Sequence, residues 1–341
     1  MKIAHGLLSH EFAGAERHLA ELANWQSGQG HSVHLLLETL KPEIEKRWRA
    51  AVPQANFHFL PAWWPSTLSG LWALAVLQKI KPNIYHAHLG RAARRLGWGA
   101  RMLRIPFVAT LHLNYRRKEH AQADGLIRIA NWQKADMQNY TGKATTIWNW
   151  VQKPQAAKPG SAAKLRAAWG AGKNTRVFLS VGRLVPQKGM DVLIDAFQKA
   201  FKKTDDVMLV ILGEGHMRGQ LQHKIQTDKR IVLAGYVADT APYYAAANVF
   251  GSAARYEPFG LAITEGMAVG LPLVCTRTQG PAEFLAGVKS VRWAKPDDVS
   301  TLATALQKAK PGKIKYDLSA FRVEKAGRDV LAFYRQAIRT R

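Results

Sequence analysis

Val177-Phe178-Leu179-Ser180-Val181-Gly182-Arg183-Leu184-Val185-Pro186-Gln187-Lys188-Gly189 carries the fold in miniature. Its first five residues read as a buried strand. A loop with two cations follows, flanked by glycines, and a helix is expected over 189–201. Working outward, strands are expected at 207–212, 231–234, 249–251 and 273–275, with helices between them, including 261–269. The same rhythm runs through the first half of the chain. Residues 3–8 read as a strand, 15–29 as a helix with Leu19, Leu22, Ala23 and Trp25 at helical spacing, and Gly28 and Gly30 as its stop. Strands at 31–38, 83–88 and 107–111 and a helix at 91–103 continue it. Alternating strands and helices imply parallel sheets covered on both faces.

The pattern lapses over 153–172, a stretch rich in Pro, Ala, Lys and Gly, and the interdomain linker is placed at its start. The expected fold class is therefore α/β, with two Rossmann-like parallel-sheet domains facing a central cleft. The expected division is 1–153, 154–322, and a closing amphipathic helix at 323–341. Ligands of open parallel sheets bind outside the carboxyl ends of the strands, so a cleft is expected before any motif is considered.

Bulk properties narrow the class. The chain has 341 residues, comfortable for two domains. A single cysteine, Cys275, excludes an intrachain disulfide and fits a reducing compartment. No stretch reaches the roughly 18 uncharged apolar residues of a spanning helix. The richest run, 68–80, is short and broken by Gly70 and Gln78. The net charge is +25, a field that attracts polyanions. Basic clusters at Lys46-Arg47-Arg49, Arg91-Arg94-Arg95, Arg101-Arg104 and Arg116-Arg117-Lys118 share the first half with Trp63 and Trp64. An anionic membrane surface is the preferred partner. A generally basic soluble surface accounts for the same residues.

The strongest local signal is Arg255-Tyr256-Glu257-Pro258-Phe259-Gly260-Leu261-Ala262-Ile263-Thr264-Glu265. A loop ends at Gly260 and a helix starts there, offering unpaired N–H groups and partial positive charge to an anion. Glu257 precedes the helix, and Glu265 follows eight residues later. A carboxylate accepts two hydroxyl hydrogens, so Glu265 suits a ribose diol. A helix cap and a surface carboxylate are the competing account. Arg183 and Lys188 suit a diphosphate leaving group, whose charge grows as the sugar bond breaks; an ordinary basic loop suits them too. In Phe12-Ala13-Gly14-Ala15-Glu16-Arg17, Gly14 lets a ligand approach the backbone closely.

Other chemistries lack their residues. Gly213-Glu214-Gly215 is followed by Arg218 where a dinucleotide loop needs glycine, and Gly172-Lys173 has Ala167 where a P-loop starts. No Asp-x-Asp occurs, so the usual carboxylate clamp for a metal-bound diphosphate is missing. His86 and His88, at a strand end, are expected to face opposite ways and to be satisfied polar residues with no shared metal.

Taken together, these segments resemble the retaining glycosyltransferases of family four, which have the GT-B fold. The resemblance covers nearly the whole chain and is strongest over 177–283. It rests on Glu257 and Glu265 with Phe259-Gly260, on Arg183 and Lys188, on the loop around Gly14 (with Ala13 where a first glycine is usual), and on His112 in Ala109-Thr110-Leu111-His112. The local style of 255–280 resembles bacterial lipopolysaccharide-core enzymes. The resemblance implies that Arg183 and Lys188 hold the diphosphate and that the Gly14 amide contacts it. It implies that Glu265 binds the ribose, that Glu257 and His112 contact the donor sugar, and that the amides of Phe259, Gly260 and Leu261 meet its oxygens. Gly213, Glu214 and Tyr236 fall where the family places its base pocket.

A retaining double displacement needs a carboxylate under the anomeric carbon. Glu11, Glu16 and Glu119 are the nearest candidates, and none is convincing. Same-face substitution is expected instead, with the leaving phosphate taking the acceptor proton. The expected activity is hexosyl transfer from a UDP- or GDP-linked sugar to a glycolipid or oligosaccharide hydroxyl, with no metal and no other cofactor. The expected place is the cytoplasmic face of the inner membrane. Rival readings are a nucleotide-sugar 2-epimerase of the same fold and a basic nucleic-acid-binding protein. The latter lacks any recognised nucleic-acid motif, and no nucleic-acid partner is expected.

Overall fold

The computed structural model describes residues 1–10, 12–38, 41–61, 63–151 and 156–339. Within it the chain divides into two compact units, 1–150 with 320–341, and 151–319. The expected boundary at 153/154 lies outside the described residues.

The first unit is built on a seven-stranded parallel sheet in the order β3-β2-β1-β4-β5-β6-β7. Its strands are β1 (Lys2–Leu8), β2 (Ser32–Glu38), β3 (Asn56–Leu60), β4 (Ile84–His88), β5 (Phe107–Leu111), β6 (Gly125–Arg128) and β7 (Lys143–Thr146). Helices α1 (Gly14–Gly28), α2 (Pro42–Ala51), α3 (Ser69–Ile80), α4 (Leu89–Met102) and the short α5 (Arg117–His120) connect them. The second unit has six parallel strands in the order β10-β9-β8-β11-β12-β13. These are β8 (Arg176–Val181), β9 (Val207–Leu212), β10 (Ile231–Gly235), β11 (Val249–Ser252), β12 (Leu273–Thr276) and β13 (Arg292–Ala294). Its helices are α6 (Ser161–Ala168), α7 (Met190–Ala200), α8 (Arg218–Ile225), α9 (Ala241–Ala246), α10 (Leu261–Ala268), α11 (Gln279–Phe284) and α12 (Val299–Lys308).

Parallel strands are covered on both faces, so their sequences are continuous apolar runs. Val207-Met208-Leu209-Val210-Ile211-Leu212 is such a run, and all six residues are buried. The strands missing from the sequence reading are the short or peripheral ones. β3 and β7 are the edges of the first sheet, and their residues are largely half-buried or exposed. Edges lack the apolar signature because one flank meets solvent. The stretch where the strand pattern lapses holds α6.

The last helix, α13 (Val323–Arg339), belongs to the first unit. Ala326, Val330, Phe333 and Tyr334 bury their side chains in the cluster that holds Ile3, Ile84 and Val108. Among the described residues no helix is long and apolar enough to cross a membrane.

In each sheet one pair of neighbours is reached from opposite directions: β1 and β4 in the first, β8 and β11 in the second. Connections diverge at such switch points, leaving a crevice at the carboxyl ends of the strands.

Candidate functional site

In the second unit the switch point gathers most of the expected residues. The loop after β8 runs against the loop after β9. The Gly182 amide donates to Leu212 at 3.0 Å and the Leu184 amide to Glu214 at 2.8 Å. Gly213 has φ of 135°, and a Cβ there would lie 1.9 Å from the Gly182 carbonyl oxygen. Only glycine lets the two loops pass this closely. Arg183 and the Gly213-Glu214 pair are thereby neighbours. Arg183 is exposed, and its guanidinium has no hydrogen bond or ion pair among the described residues. Glu214 is also exposed and pairs with Arg218 at 2.8 Å.

Lys188 ends a single 3-10 turn, Pro186–Lys188. Its Nζ donates to Glu257 Oε2 at 2.5 Å. The two residues come from the loops after β8 and β11, so this pair closes the crevice from both sides. Arg255 fixes the closure. Its guanidinium makes a bidentate pair with Asp191 at 2.9 and 2.7 Å, bonds Asp297 at 2.8 Å and caps the Pro186 carbonyl at 2.8 Å. The Arg255 and Tyr256 amides both donate to Gln187. The Asp191 bonds push the Arg255 pKa up. Burial raises the Asp191 carboxyl, but its bonds and proximity to Arg255 outweigh this and hold it below its ordinary value.

Glu257 is gripped from the far side by α11. Its amide donates to Gln279 Oε1 at 3.2 Å, and its carbonyl accepts from the Gly280 amide at 3.1 Å. Gly260 caps α10 with φ of 105°, a conformation that favours glycine. The Phe259 ring is buried against Phe284, so Phe259 offers only its backbone. Leu261 opens the helix and Glu265 lies one turn further in, where the Tyr244 hydroxyl donates to its Oε2 at 2.8 Å. Tyr236, just past β10, is 53% exposed. An exposed cation, a cation held by a carboxylate, a helix N-terminus and a pinned carboxylate are thus gathered at one crevice. They offer binding to a diphosphate and a diol.

The remaining expected residues, Gly14 and His112, lie in the first unit. Gly14 is the exposed first residue of α1. Glu16 is buried and accepts from the Ala13 amide at 2.9 Å, so it closes the helix start. Glu119 pairs with Arg116 at 3.5 Å and packs on Gly90. Glu11 lies outside the described residues.

His112 follows β5, half-buried, in a cluster of histidines. Its Nε2 lies 3.2 Å from His88 Nδ1, and His88 Nε2 lies 3.2 Å from His5 Nδ1. His5 Nε2 lies 2.7 Å from Gln26 Oε1. His86 bonds Tyr334 through Nδ1 at 2.5 Å and Thr110 through Nε2 at 2.7 Å. His18 stacks on Trp150 at 3.9 Å and meets His112 edge-on at 4.9 Å. Burial is the main cause that lowers the pKa of His5 and of His112 to about 4. It pushes His18, His86 and His88 well down as well.

This cluster corrects one expectation. His86 and His88 face the same way, with ring centroids 4.2 Å apart. Residues two apart on a strand share a face, since successive side chains alternate. Nitrogens of His5, His86 and His88, and of His18, His88 and His112, lie within 4.8 Å of one another. The expectation of satisfied polar residues holds for His86 and His88, each bonded through both ring nitrogens. Besides this cluster, Arg255, Asp191, Tyr244 and Gln279 escaped the sequence reading. Arg255 stood in a quoted motif, but its partners Asp191 and Asp297 are 64 and 42 residues away.

Two parallel-sheet units, each with a crevice at its switch point, are the architecture of the GT-B class of sugar-transferring enzymes. Family comparisons agree for both halves of the chain. Residues 12–151 match the model described as Glycosyltransferase Family 4, and residues 175–309 the model described as Glycosyl transferases group 1. The chain belongs to this glycosyltransferase family. It is 36% identical over 135 residues to the lipopolysaccharide core biosynthesis glycosyltransferase LpsE of Rhizobium meliloti (strain 1021). That match spans 38% of each chain, so the likeness covers well under half of the relative's length. Among solved structures, a glycosyltransferase from Rickettsia africae ESF-5 superposes with a TM-score of 0.80 at 17% identity, covering 99% of this chain and 98% of that one. HepE of Anabaena, in complex with UDP-glucose, superposes with a TM-score of 0.78 at 19% identity, covering 98% and 100%. At these identities the likeness is one of fold.

Proposed function

We propose that this protein transfers a hexose-type sugar from a UDP- or GDP-linked donor to a hydroxyl of a membrane glycolipid of the lipopolysaccharide-core kind. The transfer retains anomeric configuration and needs no metal. The observation that carries this reading is the Lys188–Glu257 contact, which joins the loops after β8 and β11 at the switch point beside Arg183. In this reading Arg183 and Lys188 hold the donor diphosphate and stabilise the charge that grows on it as the glycosidic bond breaks. The α10 N-terminus, through the amides of Phe259, Gly260 and Leu261, meets the remaining oxygens, together with the Gly14 amide. Glu265, aimed by Tyr244, takes the ribose diol. Gly213, Glu214 and Tyr236 border the base. Glu257 and His112 contact the transferred sugar.

Glu16 is committed to its helix and Glu119 to Arg116 and Gly90, which favours same-face substitution over a covalent intermediate. The leaving phosphate then accepts the acceptor's proton, and orientation supplies much of the rate. Peripheral docking on an anionic bilayer is supported by exposed Leu71, Trp98 and Met102 on the paired helices α3 and α4, which also carry basic residues, and by exposed Trp63.

The test is a thermal-shift panel of UDP, GDP, ADP and their sugar conjugates, with chelator and no added metal. A ligand at about a hundred times its dissociation constant adds about 2.7 kcal/mol. One base giving a clear shift, lost in Glu265→Ala, supports the reading and names the donor class. No shift with any nucleotide in folded protein removes it.

A further inference from the structure

We propose that Gln26, His5 and His88 are positioning residues that hold His112 in one tautomer, with Nε2 protonated and Nδ1 presented as an acceptor for a sugar hydroxyl. The inference rests on the reading of His112 as a contact to the transferred sugar.

The argument starts at the buried end. An amide oxygen only accepts, so the 2.7 Å contact from Gln26 Oε1 places the proton of His5 on Nε2. A neutral imidazole carries one N–H, which leaves His5 Nδ1 as an acceptor. The donor at 3.2 Å is then His88 Nε2–H. That leaves His88 Nδ1 to accept, and the donor at 3.2 Å is His112 Nε2–H. His112 Nδ1 remains as a lone pair. It has no other hydrogen-bond partner among the described residues.

Each step requires a neutral ring. Gln26, His5 and His88 are fully buried, and no carboxylate takes part in the relay. Burial disfavours the charged form of every ring in it. The surroundings also fix the ring planes. His86, anchored by Tyr334 of α13 and by Thr110, lies beside His88 with centroids 4.2 Å apart. His18, backed by Trp150, meets His112 edge-on. Trp150 is held in turn by its Nε1 bond to Glu21 at 2.6 Å. With the Gln26 amide in this orientation, reversing the relay at any one point would set two donors or two lone pairs against each other, whereas turning the amide over would reverse every step. The orientation of one buried amide therefore sets what His112 presents more than 80 residues along the chain.

The first measurement is the tautomeric state of His112 in the full chain near neutral pH, from long-range 15N–1H correlation spectra. A single Nε2–H form is expected. An Nδ1–H form, an even mixture or a protonated ring overturns the proposal, as does metal ligation of these nitrogens with stoichiometric metal in the purified protein. The second uses two variants of the buried anchor. Gln26→Glu sets a carboxylate beside His5, which should charge that ring, make its Nδ1 a donor and drive His112 away from the single Nε2–H form; an unchanged His112 tautomer in this variant counts against the relay. Gln26→Leu should mix the tautomers and lower kcat about tenfold, with KM for the nucleotide sugar within about twofold, since a misplaced tautomer disables a catalytic imidazole. Equal kcat in Gln26→Leu and the parent, with mixed tautomers, would make the relay purely structural. Full activity in His112→Ala removes the sugar-contact reading and leaves the tautomer result standing.

Discussion

Lowering the pH from 7 to 5 should unfold the first unit through its histidines. His5 and His112 have folded pKa values lowered to about 4 from 6.5, chiefly by burial. A depressed folded value means that the unfolded chain binds the proton first. The stabilisation is therefore complete above pH 6.5 and is lost as the pH falls toward 4. At pH 5 a shift of this size costs about 2 kcal/mol per ring. His5 has no exposed surface and counts in full. His112 is partly open and counts for less, so the two together cost about 3 kcal/mol. His18, His86 and His88 shift in the same direction. A typical domain has about 5–15 kcal/mol in hand.

The assay is reversible chemical denaturation at closely spaced pH values, followed by a probe in β1 or β4. The slope of stability against pH reports proton uptake on unfolding, about 1.4 kcal/mol per pH unit per proton. Near pH 5.5 each of the five rings should take up most of a proton, about four in all, and His34, His58 and His120, also lowered chiefly by burial, add to this uptake. A flat profile between pH 7 and 5, or an uptake below about one, would refute the claim that the cluster is buried in its neutral form.

Four further outcomes follow from the second unit. Arg183→Ala should lower turnover about a hundredfold, on the order of 3 kcal/mol of barrier, without altering the melting temperature; unchanged turnover would rule out its role at the leaving group. Tyr244→Phe removes the hydroxyl that holds Glu265 and should weaken nucleotide binding by about 1 kcal/mol in calorimetry, against complete loss in Glu265→Ala; equal affinities in all three proteins would show that the pair does not touch the nucleotide. Glu257→Gln frees Lys188 from its carboxylate, so the free nucleoside diphosphate should bind as well or better while kcat falls; weaker diphosphate binding would mean that Glu257 helps hold it. Burial pushes the Cys275 thiol pKa up, so iodoacetamide should label it only after denaturation.

What could be read in the sequence follows from how local each signal is. The buried runs of β8 and β9 announce parallel strands because every side chain meets apolar neighbours. The half-exposed β3 and β7 carry no such mark. Arg183, Lys188, Glu257 and Glu265 could be singled out as candidates because each sits in a short stretch around a loop and the helix that follows it. The histidine cluster was not, since it draws on β1, α1, β4 and the end of β5. Its one local clue, His86 and His88 two apart, was lost when they were assigned to opposite faces. Arg255 was hidden for a related reason: its role is to tie three segments together, and two of them are distant in the chain.

The same contrast explains how the two units use charge. The switch-point crevice of the second unit keeps its ionic groups near solvent. Lys188 is 24% and Glu257 13% exposed, and their pair is arranged so that one partner can be exchanged. In the proposed reading, a diphosphate entering beside Arg183 presents Lys188 with more negative charge than one carboxylate does. Lys188 can then turn to the phosphate, and Glu257 is left with acceptor capacity for sugar hydroxyls. The cost of breaking the pair is modest because neither group ends uncompensated. Neutral polar groups do the comparable work around His112, where burial makes a charge expensive and a fixed hydrogen-bond direction cheap to maintain. A binding step that must accept and release an anion suits exchangeable ions, and a contact that must choose one hydroxyl orientation suits a locked neutral relay.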